Sequence, residues 1–126
     1  KKLSESLGIS KRIHWHPPTE ALQLAYDCCD AYAMCSNSET FGMVTIEAMA
    51  RRIPVVGTNA GGTPELLGNG TKGKLYTAGD HKELARSLAD PTPWPMPTPH
   101  QLKQYGRSKA IQQWQDLLVH SRRSAL

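Results

Sequence analysis

Short apolar runs alternate with longer segments of helical periodicity along this chain. Runs of strand length occupy residues 13–16, 31–35, 54–58 and 74–76. The second and third runs contain no charged residue, which is typical of strands covered on both faces of a parallel sheet. Pro54 opens the third run, a position where its missing N–H group is tolerated.

Four further segments have helical spacing or helix-starting residues. They are the segment that opens at Thr19-Glu20, residues 38–51, residues 63–67 and residues 81–89. Thr63 and Asp80 are predicted to cap the last two helices, and Pro64 fits a first helical turn. Because strands alternate with helices, we expect right-handed crossovers in a parallel sheet, hence an α/β, Rossmann-like fold with flanking helices.

Prolines occupy every second position from 91 to 99. Such a segment is neither a helix interior nor an interior strand, and an extended polyproline-like conformation is expected. A stiff connector pinned by Trp94 is favoured, and a ligand for a proline-reading domain stays open. Residues 101–120 are predicted to form one helix, with an apolar stripe of Leu102, Tyr105, Ile111, Trp114, Leu117 and Leu118. The chain thus divides into a sheet domain (1–90), a connector (91–99) and a C-terminal helix (100–126).

Composition narrows the class of protein. The 126 residues are 39% hydrophobic, which suits one folded domain and excludes a disordered chain. No stretch approaches the ~20 apolar residues that cross a bilayer. The net charge of +4 is scattered, so nucleic-acid binding is not expected, whereas phosphate binding and contact with an anionic membrane stay open. The start lacks an initiator Met and an apolar signal region, so we expect a piece of a longer protein.

Three cysteines stand at Cys28, Cys29 and Cys35. Their spacing fits neither a zinc site nor a disulfide framework. Reduced thiols in the core of a cytosolic protein are the favoured interpretation.

The turn after the second strand is the richest in chemistry. Residues 36–42 are polar and run into a predicted helix, at the sheet edge where parallel α/β folds bind ligands. Gly42 allows close approach of the backbone to a ligand. The free N–H groups and the positive dipole end of the helix form an anion site that would suit a pyrophosphate.

Glu39 and Glu47 bracket this helix start. If most of the residues between them are helical, the rise is roughly 12 Å at ~1.5 Å per residue. That is about the reach from a sugar to a ribose on either side of a diphosphate. Carboxylates pair with sugar hydroxyls and repel phosphate, so they suit the two ends of a nucleotide-diphosphate sugar. The alternative is a capping Glu39 and a solvated Glu47.

The motifs around these glutamates resemble those of retaining glycosyltransferases of family four, which have the GT-B fold. The motifs are Glu-x7-Glu (Glu39 to Glu47), Glu-Ala-Met (47–49), Pro-Val-Val (54–56) and Gly-Gly-x-Pro-Glu (61–65). They follow in the expected order over a similarity that runs from about residue 13 to residue 89. The resemblance implies the C-terminal, nucleotide-sugar-binding domain of such an enzyme, truncated at its amino end.

The resemblance also implies residue roles. Glu39, the candidate catalytic residue, is similar to the carboxylate that contacts the donor sugar, and Glu47 to the residue that grips the ribose. The segment implied to face donor sugar and diphosphate comprises Glu39, Thr40, Phe41, Gly42, Met43 and Val44. His16 and Pro17 lie where such proteins contact the base. No cofactor and no metal ion are implied, because amides, the helix dipole and basic side chains stabilise the departing diphosphate.

Several features depart from the family pattern. Trp15 stands where Gly is common, and the basic pair used on the diphosphate would lie upstream of Lys1, as would the amino-terminal acceptor domain. The fragment alone is therefore expected to be inactive, whereas the intact enzyme would transfer a hexosyl group to a glycan, lipid or small molecule with retention. It would be cytoplasmic, with peripheral membrane association left open. Two alternatives remain: a non-catalytic nucleotide-binding or protein-interaction module, and a phosphosugar epimerase.

Overall fold

A three-stranded parallel sheet lies at the centre of the fold. The computed structural model describes residues 1–19, 22–109 and 111–112. The strands are β1 (Tyr32–Met34), β2 (Val55–Thr58) and β3 (Lys74–Tyr76), in the order β1-β2-β3. Both neighbouring pairs are parallel. The predicted strands at 31–35 and 54–58 are confirmed with slightly shorter bounds, and the one at 74–76 is confirmed with the same bounds.

Helices flank the sheet. They include α1 (Lys2–Ser6), α2 (Leu22–Asp27), α3 (Met43–Ala50), α4 (Thr63–Leu66), α5 (His81–Ala89) and α6 (Pro99–Leu102). Residues 107–109 and 111–112 are helical as well. Short 3₁₀ turns occupy Ser10–Arg12, Gly68–Gly70 and Lys103–Tyr105. Because α3 joins β1 to β2 and α4 joins β2 to β3, each parallel pair has a helical crossover, as the α/β prediction requires.

All four residues of β2 are buried, so the central strand is covered on both faces. The core includes Ala48 and Met49 of α3, Val55 of β2, and Leu67 directly after α4, each at most 1% exposed. The apolar run predicted to be a doubly covered strand is therefore confirmed. Burial of these side chains fixes the height of α3 above the sheet, and with it the loop in front of α3.

The predicted strand at residues 13–16 is wrong. Ile13 has an extended backbone, but residues 13–16 belong to neither strand ladder of the described sheet. An apolar, extended segment becomes a strand only when a neighbouring strand accepts its hydrogen bonds. The start of the helix predicted from Thr19 falls partly on residues 20 and 21, which lie outside the described residues.

Two predicted helix starts are also wrong. α3 begins at Met43 and not at Ser38, because Gly42 adopts a left-handed conformation (φ 69°, ψ 50°) as its N-cap. The 12 Å helical rise therefore does not apply to the segment before Met43. Thr63 lies inside α4, whose N-cap is Gly62. Asp80 caps α5 as predicted, accepting hydrogen bonds from the amides of Lys82 and Glu83.

The C-terminal part departs from a single long helix. α6 starts with a capping box between Thr98 and Gln101, then gives way to a 3₁₀ turn and to an extended Gly106. This break lets Leu102 and Tyr105 both pack against the core. Ile111, another residue of the predicted stripe, is 47% exposed, so it does not join that buried face. Residues 110 and 113–126, which include Trp114, Leu117 and Leu118 of the stripe, lie outside the described residues. None of the described helices is long and apolar enough to cross a membrane.

Residues 91–99 are irregular up to the start of α6, and Trp94 lies half-buried. The Lys74 ammonium lies 4.3 Å from the centroid of the Trp94 ring. Lys74 also forms a 3.0 Å ion pair with Asp90. These contacts attach the proline-rich segment to β3, so its indole is not presented freely to a partner.

The cysteines do not lie in the core. Cys28, Cys29 and Cys35 are all exposed free thiols, so the expected core role is wrong. Cys28 and Cys29 follow the last residue of α2, and Tyr26 is the one buried residue among residues 24–29. Because thiols are apolar, the sequence predicts Cys28 and Cys29 on the buried face of a helix, but α2 ends at Asp27, before both cysteines.

Candidate functional site

The loop between β1 and α3 folds around a carboxylate. Oε1 of Glu39 accepts hydrogen bonds from the amides of Thr40 (2.9 Å), Phe41 (3.3 Å) and Gly42 (3.1 Å). The left-handed conformation of Gly42 (φ 69°) lets the chain turn from this loop directly into α3. Three consecutive amides therefore converge on one negatively charged oxygen, and we call them the amide cradle. Such a cradle in front of a helix is suited to an anion.

The Gly61-Gly62 pair supports this loop from behind. The amide of Gly62 donates to the Glu39 carbonyl at 2.6 Å. A Cβ atom on Gly61 would lie 2.6 Å from that same carbonyl oxygen, and one on Gly62 would lie 2.5 Å from the Thr40 oxygen. The two loops thus touch backbone to backbone, and any side chain at either glycine would push the cradle away.

A buried hydroxyl fastens the start of the same loop. Thr58, at the end of β2 and 1% exposed, donates from Oγ1 to the Ser36 carbonyl at 2.6 Å. This bond ties the loop after β1 to the neighbouring strand, and so places the cradle at the carboxyl edge of the sheet.

Glu47 lies in the second turn of α3, with an exposed side chain. The hydroxyl of Tyr26 donates to Glu47 Oε2 at 2.9 Å, and the Val44 carbonyl lies 3.3 Å from the same hydroxyl. Burial, followed by the hydrogen bond and the charge of Glu47, raises the pKa of Tyr26 to about 12. The hydroxyl is therefore protonated, and a donor, throughout the neutral pH range.

A surface ion pair joins α2 to α3 beside this contact. Arg51 Nη1 lies 2.6 Å from Asp27 Oδ1, and the guanidinium lies 5.8 Å from the centroid of the Tyr26 ring. Exposed pairs of this kind contribute about 0–1 kcal/mol. Their effect here is to orient α2 against α3.

Tyr32, on β1, lies within electrostatic reach of both glutamates. Its half-buried position raises the pKa of the Tyr32 hydroxyl, and the charges of Glu39 and Glu47 act in the same direction. The Tyr32 hydroxyl therefore stays protonated and uncharged in the neutral pH range.

A cleft of about 80 Å³ opens beside the cradle. Its lining residues come from three parts of the chain: Thr40, Phe41, Gly62, Glu65, Leu66 and Tyr105. Sites that enclose a small ligand measure roughly 300–1,000 Å³. The cleft by itself is therefore too small to enclose such a ligand. The side chains of Phe41, which lines it, and of Met43 are each 56% exposed.

The structure brings only part of the predicted site together. Glu39 meets the amides of Thr40, Phe41 and Gly42, whereas Met43 and Val44 open α3 with exposed side chains. The remaining predicted residues are Glu47 in α3, with His16 and Pro17 exposed in the irregular segment before residue 20. No hydrogen bond or ion pair between described residues joins His16 or Pro17 to the glutamates. Among the described residues, no group of three His, Cys, Asp or Glu side chains could hold a metal ion.

Sequence reasoning missed two contributors. The pattern assigns no role to Tyr26, and it does not predict that Gly61-Gly62 supports the Glu39 loop. A phenol on an apolar face is the available signal, since a buried tyrosine hydroxyl needs a partner. Its partner, however, stands 21 residues further along the chain.

Comparison with known proteins identifies the family. The family model "Glycosyl transferases group 1" matches residues 1–109, and the chain belongs to this family. The D-inositol 3-phosphate glycosyltransferase of Mycolicibacterium smegmatis is 36% identical over 91 residues, which cover 71% of this chain and 21% of that protein. Its Streptomyces scabiei counterpart is 37% identical over 92 residues, with the same two shares. The chain thus spans about a fifth of the length of these relatives.

Solved structures agree with this family. The sucrose-phosphate synthase of Thermosynechococcus elongatus superimposes with a TM-score of 0.72 at 26% identity, over 99% of this chain and 34% of that one. The Anabaena protein HepE, solved in complex with UDP, gives 0.65 at 26% identity, over 99% and 35%. The family resemblance and the α/β, Rossmann-like fold of GT-B enzymes predicted from the motifs are confirmed.

Proposed function

We propose that this chain forms the donor-binding wall of a retaining glycosyltransferase and binds a nucleotide-diphosphate sugar. The amide cradle is the observation that carries the proposal, because three amides already coordinate an anionic oxygen at 2.9–3.3 Å. A diphosphate oxygen has the same charge and the same need for donors. The UDP bound to the structural neighbour HepE supports a nucleotide as the ligand class.

The two carboxylates suit the two ends of the donor. When phosphate oxygens accept the hydrogen bonds of the cradle amides, the Glu39 carboxylate becomes free to accept hydrogen bonds from hydroxyls of the donor sugar. Glu47, exposed on α3, accepts from the ribose diol, and His16 and Pro17 lie on the side of the base. This order keeps each carboxylate away from the phosphates and opposite a hydroxyl donor.

Transfer then follows from charge stabilisation. As the bond between the anomeric carbon and the diphosphate oxygen breaks, negative charge grows on the leaving group at the cradle and at the positive end of α3. Glu39 orients the sugar and stabilises its growing positive charge. In the whole protein, basic side chains outside this chain share the diphosphate charge without a metal ion, and a facing domain binds a glycan, lipid or small-molecule acceptor. The hexosyl group is transferred with retention.

Calorimetric titration of the chain with uridine, guanosine and adenosine diphosphates tests donor binding. We expect one nucleotide to bind, and Glu47→Ala to weaken it roughly 10- to 100-fold through loss of a charged acceptor on the ribose. Glu5→Ala, an exposed glutamate of α1, is the matched control and should bind like the parent.

Absence of heat with all three nucleotides at millimolar concentration would overturn the proposal and favour an interaction module. Equal affinity of Glu47→Ala and the parent would overturn only the ribose assignment. For the whole protein, proton NMR of the product measures anomeric configuration, and an inverted product contradicts the retaining class.

A further inference from the structure

The Tyr26 hydroxyl binds one oxygen of the Glu47 carboxylate and leaves the other oxygen available to a ligand. Tyr26 is 6% exposed and donates to Glu47 Oε2 at 2.9 Å. Among the hydrogen bonds of the described residues, none reaches Oε1 of Glu47. The glutamate therefore presents one oxygen toward solvent while a buried group holds the other.

The hydroxyl itself is held rigidly. The Tyr26 ring belongs to the core cluster together with Ala48 and Met49 of α3. Arg51, paired with Asp27 across the two helices, lies over the ring at 5.8 Å. The hydroxyl thus moves with α2 and α3 as one unit and provides a fixed point for a side chain that otherwise samples several rotamers.

Orienting the Glu47 side chain before a ligand arrives lowers the entropy cost of binding that ligand. A free glutamate side chain loses rotamer entropy when it is ordered by a ligand, and a group that is already oriented loses less. A single hydrogen bond to a carboxylate also limits where the second oxygen points. The open oxygen can then meet a vicinal diol in a fixed direction.

We propose that Tyr26 is a positioning residue that orients Glu47 toward the ribose diol, and so sets the preference of the site for ribonucleotides over dideoxyribonucleotides. The inference rests on the proposed role of Glu47. It extends that role to a residue of α2 that touches no part of the nucleotide and acts only through the glutamate.

The test is the substitution Tyr26→Phe, which removes the hydroxyl and keeps the buried ring. Affinities are measured by calorimetry for the tightest of the uridine, guanosine and adenosine diphosphates, and for its 2′,3′-dideoxy analogue. We expect Tyr26→Phe to weaken the ribonucleotide about 3- to 10-fold, the range of one hydrogen bond, and to leave the dideoxy analogue unchanged. In a Glu47→Ala background, Tyr26→Phe should have no further effect on either ligand.

Tyr76→Phe is the matched control, because it removes the hydroxyl of a tyrosine on β3 that is 4% exposed and is hydrogen-bonded to Cys35 and not to Glu47. It should leave the ratio of the two affinities unchanged. Circular dichroism and thermal melting confirm that each variant is folded before its affinities are compared.

The outcomes separate the two levels of the argument. Tyr26→Phe could weaken both ligands equally, weaken neither, or weaken the ribonucleotide by the same factor in the Glu47→Ala background as in the parent. Each of these results would mean that Tyr26 has only a packing role, and would overturn the inference without affecting the proposal of donor binding. If no nucleotide binds the parent chain, the proposed function fails and the inference with it.

Discussion

Gly61→Ala probes the backbone contact that supports the amide cradle. Gly61 has φ +57°, and a Cβ atom there would lie 2.6 Å from the Glu39 carbonyl oxygen and 2.7 Å from the Glu39 nitrogen. Both neighbours are backbone atoms, so no rotamer change relieves the overlap. The loop must move, and the 2.6 Å hydrogen bond from Gly62 to Glu39 is lost or stretched.

Gly8→Ala is the matched control. Gly8 has φ +66° and nothing within 4 Å of the added Cβ. Both variants carry the left-handed penalty of about 1–2 kcal/mol, partly offset because alanine restricts the unfolded chain. Only Gly61→Ala adds overpacking of about 1–3 kcal/mol and a lost hydrogen bond of roughly 1 kcal/mol. We therefore expect Gly61→Ala to destabilise the chain by about 2–4 kcal/mol more than Gly8→Ala.

Urea unfolding followed by tryptophan fluorescence and circular dichroism measures this difference. With a slope of about 1–3 kcal/mol per molar urea, the midpoint of Gly61→Ala should lie on the order of 1–2 M below that of Gly8→Ala. Hydrogen exchange at Thr40, Phe41 and Gly42 should also accelerate in Gly61→Ala alone. Equal midpoints for the two variants would refute the idea that backbone contact at Gly61 supports the loop.

Two further substitutions test contacts outside the cradle. The hydrogen bonds from the Thr92 amide and from Lys74 lower the pKa of Asp90 to about 2 from its ordinary 3.8. Because the folded pKa is the lower one, this stabilisation is present above pH about 4 and is lost as the pH falls toward 2. The free energy of unfolding should therefore fall more steeply over that interval in the parent than in Asp90→Asn, as measured by urea unfolding at several pH values. Thr58→Val removes the buried donor to the Ser36 carbonyl and should lower the free energy of unfolding by about 1–2 kcal/mol in the same assay at pH 7.

Controls exist for both substitutions. Asp30→Asn changes an exposed carboxylate and should keep the steep acid dependence of the parent; if Asp90→Asn keeps it too, the Asp90 contacts do not stabilise the fold. Thr71→Val removes a hydroxyl that donates to the Gly68 carbonyl at an exposed site, where water replaces it. A Thr58→Val effect no larger than that of Thr71→Val would contradict the role of the buried bond.

Local sequence determined those parts of the fold that depend on neighbouring residues. The uninterrupted apolar run of β2 predicted a strand buried on both faces, and all four of its residues are buried. Asp80 predicted the start of α5, because a capping carboxylate needs only the next turn of its own helix. The ordered motifs around Glu39 and Glu47 also identified the family, since their combination does not depend on folded contacts.

Only the tertiary structure decided how the glutamates are held. Residues 13–16 have a strand pattern but no strand, because pairing needs a partner that periodicity does not supply. The loop of Glu39 is supported by Gly61-Gly62, which follows β2. Glu47 accepts a hydrogen bond from Tyr26, which precedes β1. These contacts join residues about 20 positions apart. They form only once the sheet and α3 have packed, since burial and backbone contact depend on distance in space and not on position along the chain.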